Sequence, residues 1–153
     1  MKNHPNTTFV CVHFGNASEE LDYVSRLLDE NPNVYIDTAA RVSFLGAHPA
    51  DQLREFFIKY QDRILFATDF GMGHFPPGDK TFWLGVGDGT EKTIEDCHAY
   101  YEAQWPFYES DGKGISRPCP ISGRPRLDGI NLPPEVLEKF YYKNAKRLIP
   151  GWH

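Results

Sequence analysis

The chain has 153 residues, 41% hydrophobic and 14% aromatic, which suffices for one globular core and excludes a wholly disordered polypeptide. Its net charge of -5, with Lys and Arg scattered, leaves no basic stripe for a nucleic-acid backbone. No apolar run approaches the roughly 20 residues of a bilayer span and no signal-peptide core follows Met1, so no membrane is expected and the cytoplasm is the expected compartment.

Thr7–Val12 is a short β-branched and apolar run without strict alternation, the pattern of a strand covered on both faces, and it ends at His13-Phe14-Gly15. Asn16 with Glu19 three residues on has the spacing of a helix-capping pair, and Leu21, Val24 and Leu28 repeat at helical spacing until Asn31-Pro32-Asn33. Val34-Tyr35-Ile36 is a second strand closing at Asp37-Thr38, and a loop through Arg41 and His48 follows. Pro49 suits the first turn of a helix whose Leu53, Phe56, Phe57 and Tyr60 form an apolar stripe.

Ile64–Thr68 reads as the third strand, and Asp69-Phe70-Gly71 turns out of it. Residues 71–131 change character to Gly, Pro and aromatics, with one helical segment marked by Ile94, Cys97, Tyr101 and Trp105, and read as an insertion. Pro133 and Pro134 open a final helix with Val136, Leu137, Phe140, Tyr141, Asn144 and Leu148 inward, stopped at Pro150-Gly151. Cys11, Cys97 and Cys119 are odd in number and far apart, which suits neither a disulfide framework nor a paired-cysteine zinc site.

Three strands joined through two helices make consecutive βαβ units and therefore a parallel sheet with all strand C-termini on one rim. That rim, where α/β proteins bind ligands, receives His13, Asp37 and Asp69.

The runs Phe9–Asn16, Asn33–Thr38, Asp62–Asp69 and Leu132–Leu148, in this order, resemble the last three strands and last helix of the amidohydrolase-related (family 2) proteins. The resemblance implies an α/β fold: the last three βα units of a TIM (β/α)₈ barrel, parallel strands with the insertion 71–131 over their C-terminal face, in one domain spanning 1–153. A closed barrel takes roughly 250 residues, so these form a part of one. It also implies one divalent metal, usually zinc, in enzymes that hydrolyse or decarboxylate small molecules. Asp69 corresponds to the family's metal-binding aspartate, which also handles the proton of the metal-bound water, and His13 to the histidine that contacts water or substrate beside the metal. The family's His-x-His pair from the first strand and histidine from the fifth have no counterpart here.

The expected catalytic residues are thus Asp69 and His13, with Asp69 a metal ligand and Arg41 and His74 candidate substrate contacts. A carboxylate can take a proton from attacking water, and a neutral imidazole can orient that water or stabilise an oxyanion. The competing structural readings are a helix cap or turn former for Asp69, a core histidine satisfied by backbone for His13, surface residues for Arg41 and His48, and a solvated loop histidine for His74. Asp37 reads as orienting the loop after its strand. Gly85–Gly89 lacks the Lys and the preceding strand of a phosphate loop. Phe70, Phe75, Phe82, Trp83, Trp105, Phe107 and Tyr108 suit either a substrate wall or packing of the insertion. A small-molecule substrate is expected; the alternative is a non-catalytic barrel remnant that self-associates or pairs with a missing N-terminal barrel part, since three parallel strands leave open edges.

Overall fold

The computed structural model describes residues 1–74, 82–85, 94–118 and 126–151. Three strands, β1 (Phe9–Cys11), β2 (Val34–Asp37) and β3 (Ile64–Leu65), form a parallel sheet in the order β1-β2-β3. Phe9 pairs with Val34, Cys11 with Ile36, and Ile36 with Ile64, so these residues share one face and pack into the core. The fold is therefore mixed α/β around a parallel sheet, as the alternation of strand and helix patterns indicates.

Between β1 and β2 run α1, the single turn Val12–Gly15, and α2 (Leu21–Glu30); between β2 and β3 run α3 (Val42–Leu45) and α4 (Ala50–Lys59). Helical spacing puts Leu21, Val24 and Leu28 on the buried side of α2, and Leu53, Phe56, Phe57 and Tyr60 on the buried side of α4 and its end. The Tyr60 hydroxyl donates to Ser25 O at 3.3 Å and to Asp29 Oδ1 at 3.0 Å, tying α4 to α2. Arg63 donates to Leu28 O at 2.7 Å and Asn31 O at 3.0 Å, satisfying carbonyls that the end of α2 leaves without helical partners.

Two local expectations fail here. The Asn16–Glu19 capping pair does not form: Asn16 is left-handed (φ 58°), Glu19 accepts from Ser18 Oγ, and α2 begins without a side-chain cap. The stretch after Asp37 is not all loop, because α3 lies within it.

After β3 the chain makes a hairpin of β4 (Gly71–His74) with β5 (Phe82–Gly85), then α5 (Ile94–Glu102), α6 (Trp105–Glu109) and a second hairpin of β6 (Ile115–Ser116) with β7 (Arg126–Leu127). The single helix expected around residues 94–105 is divided, with Pro106 in the first turn of α6, where its missing N–H costs no helical bond. Phe107 and Tyr108 are fully buried and seat the segment in the main core, with Tyr108 against Phe57 and Phe140. Gly129 is required at its place: a Cβ there would lie 2.1 Å from Ser110 O.

The last helix is α7 (Pro134–Glu138), a π-helical segment (Lys139–Lys143) and α8 (Asn144–Leu148). In the widened turn the Asn144 N–H reaches back to Lys139 O, which leaves Phe140 O available, and it accepts the Phe66 N–H at 3.0 Å. This explains why β3 is shorter than the apolar run Ile64–Thr68: past Leu65 the strand bonds to helix backbone. Buried Asn144 adds donors to Gln61 O (2.7 Å) and Ile64 O (2.8 Å), so the helix closes this side of the sheet. The opposite edge, β1, has no second strand beside it among the described residues, and Val10 and Val12 are 46% and 54% exposed.

Burial raises the pKa of the Tyr108 phenol, and burial together with the Glu109 charge raises that of Tyr141. The unfolded chain would ionise both near the ordinary tyrosine pKa of about 10, while the folded chain holds their protons. Their contribution is complete below that pH and is lost as pH rises above it. Stability should therefore fall on the alkaline side, and phenolate absorbance should show these two of the eight tyrosines ionising only with unfolding.

Candidate active site

All three parallel strands deliver their C-terminal residues to one rim. His13 follows β1, Asp37 ends β2, and Asp69 lies four residues beyond β3. Because β2 is the central strand, His13 and Asp69 flank Asp37. With neighbouring strands about 4.8 Å apart, β1 and β3 are about 10 Å from one another at the rim.

His13, Phe14, Gly15 and Asn16 all have positive φ, at 57°, 58°, 65° and 58°. Such a run is uncommon in L-residues, for which left-handed helix costs roughly 1–2 kcal/mol per residue. It exists here because each part is held. The Phe14 side chain is fully buried against Phe56 and Phe57. The His13 N–H donates to Asp37 Oδ1 at 2.7 Å, and the same oxygen accepts the Ala39 N–H at 3.1 Å. From the other side Arg41 Nε donates to His13 O at 3.2 Å and Arg41 Nη2 to Asn16 Oδ1 at 2.8 Å.

The His13 ring is half-buried, with Nδ1 2.9 Å from Ala39 O. A carbonyl only accepts, so Nδ1 carries the hydrogen, and in the neutral form of the ring the lone pair is therefore on Nε2. Backbone satisfaction is therefore true of one ring nitrogen, while Nε2 has no bonded partner among the described residues.

Asp69 also has positive φ (64°) and is exposed. Its lead-in is fixed: Thr38 Oγ1 donates to Ala67 O at 3.0 Å and accepts the Ala67 N–H at 3.1 Å, extending the β2–β3 pairing by a side chain. The Thr68 hydroxyl accepts the Phe70 N–H at 3.3 Å, and Thr68 O accepts from the Tyr100 hydroxyl at 2.8 Å. A hairpin follows Asp69, so it caps no helix, and its carboxylate makes no hydrogen bond or ion pair among the described residues.

The other rim groups are committed. Asp37, 8% exposed, spends Oδ1 on two amides, which orients the loop after β2 as its position suggests. Arg41 braces the His13 turn and stacks over Phe44, 5.3 Å from its centroid. His48 Nε2 lies 2.8 Å from Ser18 O, on a separate shallow depression formed with Pro49, Arg126 and Asp128. Burial and the Asp37 charge push the Cys11 thiol up, so it stays protonated at neutral pH and is a poor nucleophile.

His74 lies on β4 opposite Phe82, and its side chain is outside the described residues, as are Phe75, Cys119 and most of Gly85–Gly89. Of the aromatics, Phe107 and Tyr108 are core, Trp105 is 42% exposed, and Phe70 packs at a tilt against Tyr100 and Tyr101.

A catalytic zinc takes three protein ligands and keeps one position open. Among the described residues no three His, Cys, Asp or Glu side chains group together to hold a metal. His13 Nε2 and the Asp69 carboxylate are two donors, and Asp37 is turned to backbone amides. The described donors alone do not fit a catalytic metal.

The family model described as Amidohydrolase (family 2) matches residues 1–151, and the chain belongs to that family. No curated protein and no solved structure matches it.

Proposed function

From family membership and the rim geometry, we propose that this chain contributes Asp69 and His13 to a hydrolytic site acting on a carbon–nitrogen, ester or carbon–carbon bond of a small molecule. What supports this reading is that an exposed carboxylate beyond β3 and an imidazole whose Nδ1 is bonded to Ala39 O belong to the same rim of the parallel sheet. Asp69 takes the proton of the attacking water, and neutral His13 accepts a hydrogen bond from that water through Nε2. In that tautomer Nε2 cannot donate to an oxyanion, so orientation of the water is the role its bonding favours. On this reading the three parallel strands are the C-terminal part of a TIM-type barrel, and a divalent ion, zinc being expected, would need donors beyond His13 and Asp69. Arg41 reaches substrate only through the atoms its braces leave over, and His74 is kept as a candidate substrate contact.

The exposed Val10 and Val12 beside the open edge of β1 favour a second reading, a barrel remnant that works by association with another chain. Two measurements separate them. Purified chain supplied with stoichiometric zinc, manganese or magnesium should bind metal by calorimetry and turn over a member of a panel of esters, amides, lactones and aromatic carboxylates. Neither binding nor turnover would end the enzyme reading for this polypeptide, and light scattering showing a stable, folded monomer would end the association reading. Among the described residues no helix is long and apolar enough to cross a membrane.

A further inference from the structure

Asp37 and Arg41 lie on the loop that leaves β2, yet their hydrogen bonds converge on a residue of the neighbouring strand. Asp37 Oδ1 takes the His13 N–H, Ala39 O takes His13 Nδ1–H, and Arg41 Nε holds His13 O. Every backbone polar group of His13 and one ring nitrogen are thereby bonded, the carbonyl also accepting the Asn16 N–H at 2.9 Å. The loop is itself fixed by the same carboxylate, since Asp37 Oδ1 also accepts the Ala39 N–H. One oxygen therefore sets the distance between the His13 backbone and the carbonyl that its ring bonds.

We propose that Asp37 and Arg41 are positioning residues: they impose the left-handed turn that carries His13 and hold its neutral ring as the Nδ1–H tautomer with Nε2 toward the rim. A solvated neutral imidazole exchanges freely between its two tautomers, and an unbraced His would leave φ near 57° for the right-handed or extended regions. Asp37 supplies a charge-assisted acceptor, which outweighs a neutral one in holding a strained amide. Arg41 spans the turn from its first carbonyl to its last side chain, so it resists unwinding from the solvent side. The significance for catalysis rests on the role given to His13 above, whereas the bracing is a property of the folded chain that can be read without any substrate.

The test is nitrogen-15 NMR of the histidine rings at a pH where they are neutral, with the His13 signals assigned through His13→Gln. Wild type should show the Nδ1–H tautomer dominant and a slowly exchanging His13 amide. Asp37→Ala should mix the two tautomers and speed exchange of that amide by roughly ten- to a hundredfold, the loss of one hydrogen bond to a charged acceptor, with Asp37→Asn intermediate because its carbonyl oxygen still accepts. Should Asp37→Ala fail to fold, Arg41→Met probes the same turn from its exposed side and should give the same two changes in smaller measure, with Arg41→Lys partly restoring them. A dominant Nε2–H tautomer in wild type overturns the proposal. So does an unchanged ring and amide in Asp37→Ala or, where that variant does not fold, in Arg41→Met. On any substrate found by the panel, a changed ring with undiminished turnover would leave the bracing intact and remove His13 from the reaction. Lost turnover with an unchanged ring would do the reverse.

Discussion

Replacing Asp69 with asparagine is expected to lower turnover by roughly 10²–10⁴-fold, the range for loss of a positioned proton acceptor, while changing stability by no more than about 0.5 kcal/mol. The two halves of this expectation have separate physical grounds. Activity falls because an amide oxygen cannot take up the proton of the attacking water. Stability holds because the carboxylate bonds nothing among the described residues and because asparagine tolerates the left-handed backbone found at residue 69, where φ is 64°. Alanine at the same position should lose activity equally, since it has no group to take up the proton. Steady-state kinetics on the panel's best substrate and urea unfolding of both variants check the claim. An asparagine variant that keeps full kcat/KM would remove Asp69 from the chemistry.

The parts of this arrangement that were legible in sequence are those governed by local rules. The stripe Leu53, Phe56, Phe57 and Tyr60 is buried because helical geometry alone decides which of its residues share a face. Parallel pairing of β1, β2 and β3 follows from the alternation of short apolar strands with helices, and that pairing puts His13 and Asp69 on one rim. What stayed hidden depends on partners distant in sequence. His13 and Phe14 are not residues from which a left-handed run can be read; their backbone is set by Asp37, Arg41 and the aromatic core. The early end of β3 is likewise set by a π turn that frees Phe140 O, and a π turn has no clear signature in the run Lys139–Lys143. For Asp37, a carboxylate at a strand end is a natural acceptor for backbone amides, but nothing in the spacing says that one amide belongs to His13.

Phe140→Ala is expected to cost about 3–5 kcal/mol, the range for removing a fully packed phenylalanine. Phe140 is 1% exposed and its ring meets Phe57 at 5.5 Å, Phe66 at 5.5 Å, Tyr108 at 4.8 Å and Tyr141 at 5.1 Å between centroids. These neighbours come from α4, the end of β3, α6 and the last helix, so no single element can relax to fill the space. A domain of this size is stable by about 5–15 kcal/mol, so such a loss takes much of what there is. Urea unfolding should show a lower midpoint at an unchanged slope, since the surface exposed on unfolding hardly differs. The effect should also be directional. The same residue's carbonyl holds the Phe66 N–H, and from Phe66 the chain runs three residues to Asp69. Hydrogen exchange at Phe66 should therefore quicken more than at Val34 or Ile36 in the sheet centre. Equal acceleration at all three amides would mean that the π turn guides nothing and that Phe140 serves the core alone.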